Sequence, residues 1–250
     1  MAIDEADRKD IMRPQTYRTI AKVVGAMYLG GFVVGLSGSG LIQSVLGSPD
    51  EPAQLAAIPA NSMKLAVGAI LWLMAVAGDA AHGVLMFPIL KQHSERVALG
   101  YLGSRIIDAV FIAIMVLFVL LQISLGSAHL KTMTPDTAYL QGLSSVFMHG
   151  QLYAYNMGMI TLGISGLMLC YTLYRARLLP RFLAVWGLAG YAIIFLGMVS
   201  EVMGSGLGLV SSIPGGLWEA FVGVWLIAKG FNVSGLAPLS NDAPEIGSPR

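Results

Sequence analysis

The sequence predicts an all-α integral membrane protein, a bundle of six transmembrane helices with both termini in the cytoplasm. Three observations lead to this fold class: an apolar composition, six long apolar segments, and an uneven distribution of positive charge. Of the 250 residues, 56% are hydrophobic and only 12% are charged, and the mean hydropathy is +0.71. Soluble domains average about 25% charged residues. The composition therefore predicts one membrane domain with short polar ends.

Six segments are long enough to be membrane spans, since about 20 apolar residues cross the hydrocarbon core. They define a predicted transmembrane domain over residues 19–231, with spans at about 20–45, 64–90, 97–125, 152–174, 182–203 and 213–228. Residues 1–18 lack the apolar core of a cleavable signal. They are predicted to form a cytoplasmic N-terminal segment. Residues 232–250 are rich in Pro, Gly, Ser and Asn, which predicts a disordered cytoplasmic tail.

Positive charge predicts the orientation of the bundle. Of the 15 Lys and Arg residues, only Lys64 and Lys131 fall on one side of the predicted spans. The positive-inside rule places the other side, which carries the remaining basic residues, in the cytoplasm. An odd number of spans would split the basic loops between the two sides. Six spans with an N-in and C-in arrangement therefore fit the charge pattern.

Two features concern the membrane surface. The stretch from Gly126 to Gln151 is only partly apolar and predicts a short helix lying on the membrane. Four aromatic residues lie nearer the ends than the centres of their segments, which is typical of interfacial anchoring. They are Trp72, Trp186, Trp218 and Tyr101.

Small residues in the first span predict close helix packing. Gly31, Gly35 and Ser39 recur every four residues on one helical face. Such a stripe lets two helix backbones approach closely. The partner is either another helix of the same bundle or a membrane protein, including a second copy of this chain.

A polar cluster is predicted inside the membrane. Asp79 and His82 lie near the middle of the second span, and Arg105 and Asp108 lie at a similar depth in the third. Arg105 and Asp108 are three residues apart on one helical face, so they can pair. A charge at this depth costs roughly 3 kcal/mol, and such residues often have a function. The cluster is either a proton relay or ion site, with His82 able to titrate, or a structural network joining the two helices.

A second group of polar residues is predicted on the outer side. Glu201 lies near the outer end of the fifth span and Glu219 near the start of the sixth. His149, Tyr153 and Asn156 open the fourth span on the same side. Two carboxylates with these partners could hold a cation or a polar solute. The alternative is that Glu201 simply lies at the wet interface.

Several kinds of chemistry lack the residues that they need. Zinc hydrolases require about three protein ligands, but only His82 lies deep in a span. No nucleophile elbow, phosphate-binding loop or basic aromatic patch for nucleic acid is found. The sequence therefore predicts no metal, no cofactor and no catalytic residue. The single cysteine, Cys170, excludes a disulfide within the chain.

Four stretches resemble a known family. They are YRTIAKVVGAMYLGGFVVG from Tyr17, SRIIDAVFIAIM from Ser104, LYRARLLPRFLAVWGLAGY from Leu173 and WEAFVGVWLIAKGF from Trp218. Together they are similar to the bacterial membrane family catalogued as domain of unknown function 4386. The most specific parts are Pro180-Arg181 and the end at Trp225, Lys229 and Gly230, whereas Asp79 and His82 lie outside the matching motifs. The resemblance implies a six-helix inner-membrane protein and brings no substrate, cofactor or catalytic residue.

Three functions are compatible with the sequence. The first is a small transporter or permeation protein that handles protons, ions or a small polar solute through Asp79, His82 and Glu219. The second is an accessory or structural membrane subunit. The third, with the least support, is a membrane enzyme acting on lipid or quinone. A transporter should contain a water-accessible cavity lined by the acids, whereas an accessory subunit should bury them as closed pairs.

Overall fold

The computed structural model describes residues 14–47, 55–131 and 138–232, and all of its long elements are helices. They are α1 (Pro14–Leu46), α2 (Ser62–Lys91), α3 (Glu95–Lys131), α4 (Ala138–Arg175), α5 (Arg181–Val202) and α6 (Gly208–Ala228). Two short 3-10 turns, Leu55–Ala57 and Pro59–Asn61, precede α2. No strand occurs in these ranges, and all six helices are long and apolar enough to cross a membrane. The prediction of an all-α protein with six long apolar helices is confirmed.

The six helices form a closed ring. Each helix packs against the next in the chain, and α6 packs against α1. At one end of the bundle, Gln92 after α2 donates to the hydroxyl of Tyr17, and Arg18 donates to the carbonyls of Ala228 and Lys229. We call this end, which contains the start of α1 and the ends of α2 and α6, the basic end. Its cytoplasmic location remains a prediction from charge.

The helices α3 and α4 are longer than the membrane requires. They contain 37 and 38 residues, or about 55 Å at 1.5 Å per residue, against a hydrocarbon core of about 30 Å. The predicted surface helix between Gly126 and Gln151 is therefore wrong. Residues 126–131 continue α3, and residues 138–151 form the beginning of α4. No proline interrupts residues 138–151. The remaining residues of that stretch, 132–137, lie outside the described ranges.

A buried polar pair joins these extensions. The amide of Gln122 donates to the carbonyl of Ser144 at 2.9 Å, and the Ser144 hydroxyl donates back to the Gln122 side chain at 2.8 Å. Both side chains are fully buried. Reciprocal bonds of this kind satisfy polar groups that would otherwise destabilise an apolar interface. They fix α3 against α4 far from the basic end.

The close helix contacts use other glycines than the predicted stripe. A Cβ on Gly25 would lie 2.6 Å from the carbonyl oxygen of Gly223 in α6, and one on Gly38 would lie 3.1 Å from that of Gly68 in α2. At Gly31 a Cβ would meet no heavy atom within 4 Å. Backbone approach at Gly25 and Gly38 therefore holds α1 in the ring. A partner on the Gly31, Gly35 and Ser39 face remains a prediction.

Two of the four aromatic residues expected at the interface lie in the core. Trp218 is 0% exposed and Tyr101 is 1% exposed, whereas Trp72 and Trp186 are half-buried. The indole nitrogen of Trp218 donates to the carbonyl of Leu183 at 2.6 Å. The interfacial assignment of Trp218 and Tyr101 is wrong, because both side chains are buried. Position along a segment does not reveal which way a side chain faces around the helix axis.

Candidate functional site

An arginine bridges two carboxylates between α2 and α3. The guanidinium of Arg105 donates to Asp79, and its second terminal nitrogen lies 3.4 Å from an oxygen of Asp108. The side chains of Arg105 and Asp108 are 8% and 3% exposed, whereas that of Asp79 is 30% exposed. Asp79 is therefore the member of this group that reaches the surface of the bundle. The structure brings together three of the four residues of the predicted inner cluster.

His82 lies beside this group and contacts different residues. Its Nδ1 is 2.6 Å from the hydroxyl of Tyr101, which lies about one helical turn from Arg105 along α3. The ring of Tyr28 from α1 packs edge-on against the imidazole, with the ring centroids 4.8 Å apart. His82 thus shares a hydrogen bond with a tyrosine hydroxyl and not with Asp79 or Asp108.

Glu219 belongs to the same interior region. Its carboxylate accepts a hydrogen bond of 2.7 Å from the hydroxyl of Tyr191 in α5. A chain of ring contacts links Tyr191 to His82 through Trp218 and Tyr28, with successive ring centroids 5.4, 6.0 and 4.8 Å apart. We call the resulting group the interior cluster. It consists of Asp79, His82, Arg105, Asp108 and Glu219 with the tyrosines Tyr28, Tyr101 and Tyr191.

The predicted outer pocket is not assembled. Glu201 accepts a hydrogen bond of 2.7 Å from the backbone amide of Gly208, so it caps the start of α6. His149 contacts the carbonyl of Ser145 in its own helix, and Tyr153 is 49% exposed. Asn156 is buried in α4. None of these four residues is hydrogen-bonded to Glu219, whose partner is Tyr191.

Three buried polar atoms near the middle of the bundle have no hydrogen-bond partner among the described residues. They are Nε2 of His82, Nε of Arg105 and Nδ2 of Asn156. A cavity of about 10 Å³ lies beside His82, Tyr28 and Trp218. That volume suits about one water molecule. This cavity has room for a water but not for a solute.

The interior cluster is unbalanced in charge. It contains three carboxyl groups, from Asp79, Asp108 and Glu219, and a single guanidinium, from Arg105. If every group were ionised, two negative charges would remain uncompensated. Buried charge without a partner is strongly unfavourable in an apolar medium. Within the described ranges, no group of three or more His, Cys, Asp or Glu side chains is arranged to hold a metal ion.

Comparison with protein families assigns the chain to a known family. Residues 23–230 match the model of the family described as Domain of unknown function (DUF4386). The chain belongs to the DUF4386 family. The match confirms the resemblance seen in the four sequence motifs. No curated protein and no solved structure matches this DUF4386 chain significantly.

Sequence reasoning missed the tyrosines of this DUF4386 protein. Tyr28, Tyr101 and Tyr191 come from three different helices and face the interior cluster. A tyrosine inside a long apolar segment is itself a signal, because a buried hydroxyl needs a partner. Tyr191, in the middle of the fifth span, carried that signal most clearly.

Proposed function

We propose that this protein is a small bacterial inner-membrane transporter that binds and releases protons at the interior cluster, with its basic end in the cytoplasm. The observation that supports the proposal is the ratio of three carboxyl groups to one guanidinium inside the bundle. A structural ion pair needs one acid for one base. The surplus acids give the cluster the capacity to hold protons, which neutralise it at the lowest cost in an apolar medium.

The geometry suits exchange of protons better than passage of a solute. Asp79 and Glu219 are partly exposed at the surface of the bundle, so they are the two members of the cluster at which protons would enter and leave. His82, Tyr28 and Trp218 line the cavity of about 10 Å³. One water there would bond His82 Nε2, which has no partner among the described residues. Imidazole, hydroxyl and water together can pass a proton across short gaps.

The test is proton flux into liposomes that contain the purified protein. A potassium gradient with a potassium ionophore sets the membrane potential, and a trapped pH-sensitive dye reports the flux. We expect flux from the wild type, and a loss of roughly tenfold or more in Asp108→Asn and Glu219→Gln, since positioned proton-transfer groups contribute about 10²–10⁴-fold in rate. The matched control is Glu201→Gln, which keeps an oxygen for the Gly208 amide and lies outside the cluster. Flux equal to that of empty liposomes would contradict the proposal.

A second candidate function has its own support. Arg105 is paired with Asp79 and Asp108, and Glu219 accepts a hydrogen bond from Tyr191. The adjoining cavity has room for only about one water. Closed pairs are what an accessory membrane subunit should contain. If the wild type carries no proton flux while Asp108→Asn and Glu219→Gln lower its melting temperature, the accessory role replaces the transporter role.

A further inference from the structure

A surface feature at the basic end is lined by none of the residues of the interior cluster. A surface groove of about 410 Å³ runs between the turn that joins α4 to α5 and the end of α6. Residues from both elements line it, including Arg177, Arg181, Trp225 and Lys229. Its volume is within the range of about 300–1,000 Å³ typical of small-molecule sites.

The turn that forms one wall is firmly fixed. The amide of Leu178 donates to the carbonyl of Leu173 at 3.1 Å, and the amide of Arg177 donates to Tyr174 at 3.3 Å. These bonds close the last turn of α4 in the manner of a Schellman motif, with Arg177 in the left-handed region at φ 54°. Leu178 is fully buried, and its carbonyl accepts a bond of 2.9 Å from the amide of Asn232. The groove is therefore a preformed feature of the fold.

The groove carries concentrated positive charge. Arg177, Arg181 and Lys229 are exposed, and in the ranges that the structure describes no carboxylate lies within ion-pair distance of them. The 22-residue helix α5 begins in the groove at Arg181. The first amides of a helix lack intrahelical acceptors and favour an anion. In α5 the amide of Leu183 already donates to the carbonyl of Pro180, so the amides of Arg181 and Phe182 are the ones that could bind it. Three cations and a helix start thus converge on one concave surface.

An aromatic pair lies at the edge of the groove, where Trp225 lines it. The rings of Phe182 and Trp225 pack edge to face, with their centroids 6.5 Å apart, and Phe182 is 59% exposed. Tryptophan is enriched where headgroups meet acyl chains. A ligand with an anionic head and an apolar body matches this combination, whereas a free anion would use only the basic half.

We propose that this groove is a binding site for an anionic glycerophospholipid, whose phosphate lies among Arg177, Arg181 and Lys229 and whose upper acyl chain packs on Phe182 and Trp225. Occupancy would join the α4–α5 turn to the end of α6 from outside. The inference does not depend on proton handling at the interior cluster.

The test compares the full-length protein, purified in detergent, with two triple variants. The groove variant is Arg177→Gln with Arg181→Gln and Lys229→Gln. The control variant, Lys22→Gln with Arg96→Gln and Arg175→Gln, removes the same charge from exposed residues at the basic end outside the groove. Melting temperature is followed while phosphatidylglycerol, phosphatidylcholine or inorganic phosphate is added. Phosphatidylglycerol retained after gel filtration is measured separately, so the result does not depend on each variant's own melting temperature.

We expect phosphatidylglycerol to raise the melting temperature of the wild type and of the control variant, and phosphatidylcholine and inorganic phosphate to have little effect. In the groove variant the half-saturating phosphatidylglycerol concentration should rise roughly 100-fold, given the contribution of each basic residue near an anionic surface, and retained lipid should fall. Equal losses in the two variants would show general charge attraction and overturn the site. An equal response to inorganic phosphate would overturn the lipid assignment.

Discussion

Replacing Arg105 with glutamine is expected to lower the free energy of unfolding by about 3–5 kcal/mol, because removing one partner of a buried ion pair leaves uncompensated charge. Arg105 is the only cation in contact with Asp79 and Asp108 in the described part of the chain. The carboxylate that Arg105 neutralises would lose its counter-charge within the apolar bundle. Reversible denaturation of the purified protein in mixed micelles measures the change.

A charge-matched variant separates this effect from a packing defect. Arg105→Gln combined with Asp79→Asn and Asp108→Asn contains no charge at these positions, so it should recover most of the lost stability. Arg105 also packs its stem against Gly83, where a Cβ would lie 3.1 Å from that of Arg105, and this contact is kept in part by glutamine. If the triple variant is no more stable than Arg105→Gln alone, the loss comes from shape and not from charge.

The second large effect is expected at Gly166 in α4. A Cβ at this position would lie 2.2–2.4 Å from three ring atoms of Tyr191, and the ring is not the free end of a flexible chain. Gly166→Ala should therefore cost about 1–3 kcal/mol through overpacking. Displacement of the ring should also weaken the hydrogen bond from Tyr191 to Glu219. The same denaturation assay measures the cost.

Gly103 provides the matched control. It lies in α3, and a Cβ there would meet no heavy atom within 4 Å. Gly103→Ala should leave stability unchanged or raise it by up to about 1 kcal/mol, because alanine is the better helix former. Equal destabilisation of the two variants would contradict the packing argument at Gly166.

The sequence predicted six long apolar helices and missed the extensions of α3 and α4. Hydropathy reports the part of a helix that is apolar enough for lipid, so it located all six helices. Hydropathy does not reveal where a helix continues beyond the membrane. The sequence therefore predicts a separate surface helix where the extensions of α3 and α4 lie. The Gln122–Ser144 pair that supports those extensions depends on facing positions in two helices, which one sequence does not give.

The inner cluster was predictable because depth can be counted from the basic loop between α2 and α3. That count places His82 and Asp108 at one level and Asp79 one turn deeper, and the structure brings Asp79 and Asp108 into contact with Arg105. The depth of Glu219, counted from the predicted start of the sixth span, is wrong. The sixth span was expected to begin near residue 213, but α6 begins at Gly208, so Glu219 lies about three turns into the helix at 3.6 residues per turn. Rotation about each helix axis, which directs the tyrosines inward, is set by packing between helices.

Infrared spectroscopy of the purified protein at neutral pH tests the central claim, that the surplus carboxyl groups of the interior cluster hold protons. The protonated carboxyl group has a C=O stretch distinct from that of a carboxylate. The account predicts such a band in the wild type, weakened by Glu219→Gln or Asp108→Asn and unchanged by Glu201→Gln. If the wild type shows no protonated carboxyl band, all three acids are ionised and the proton-handling account is wrong.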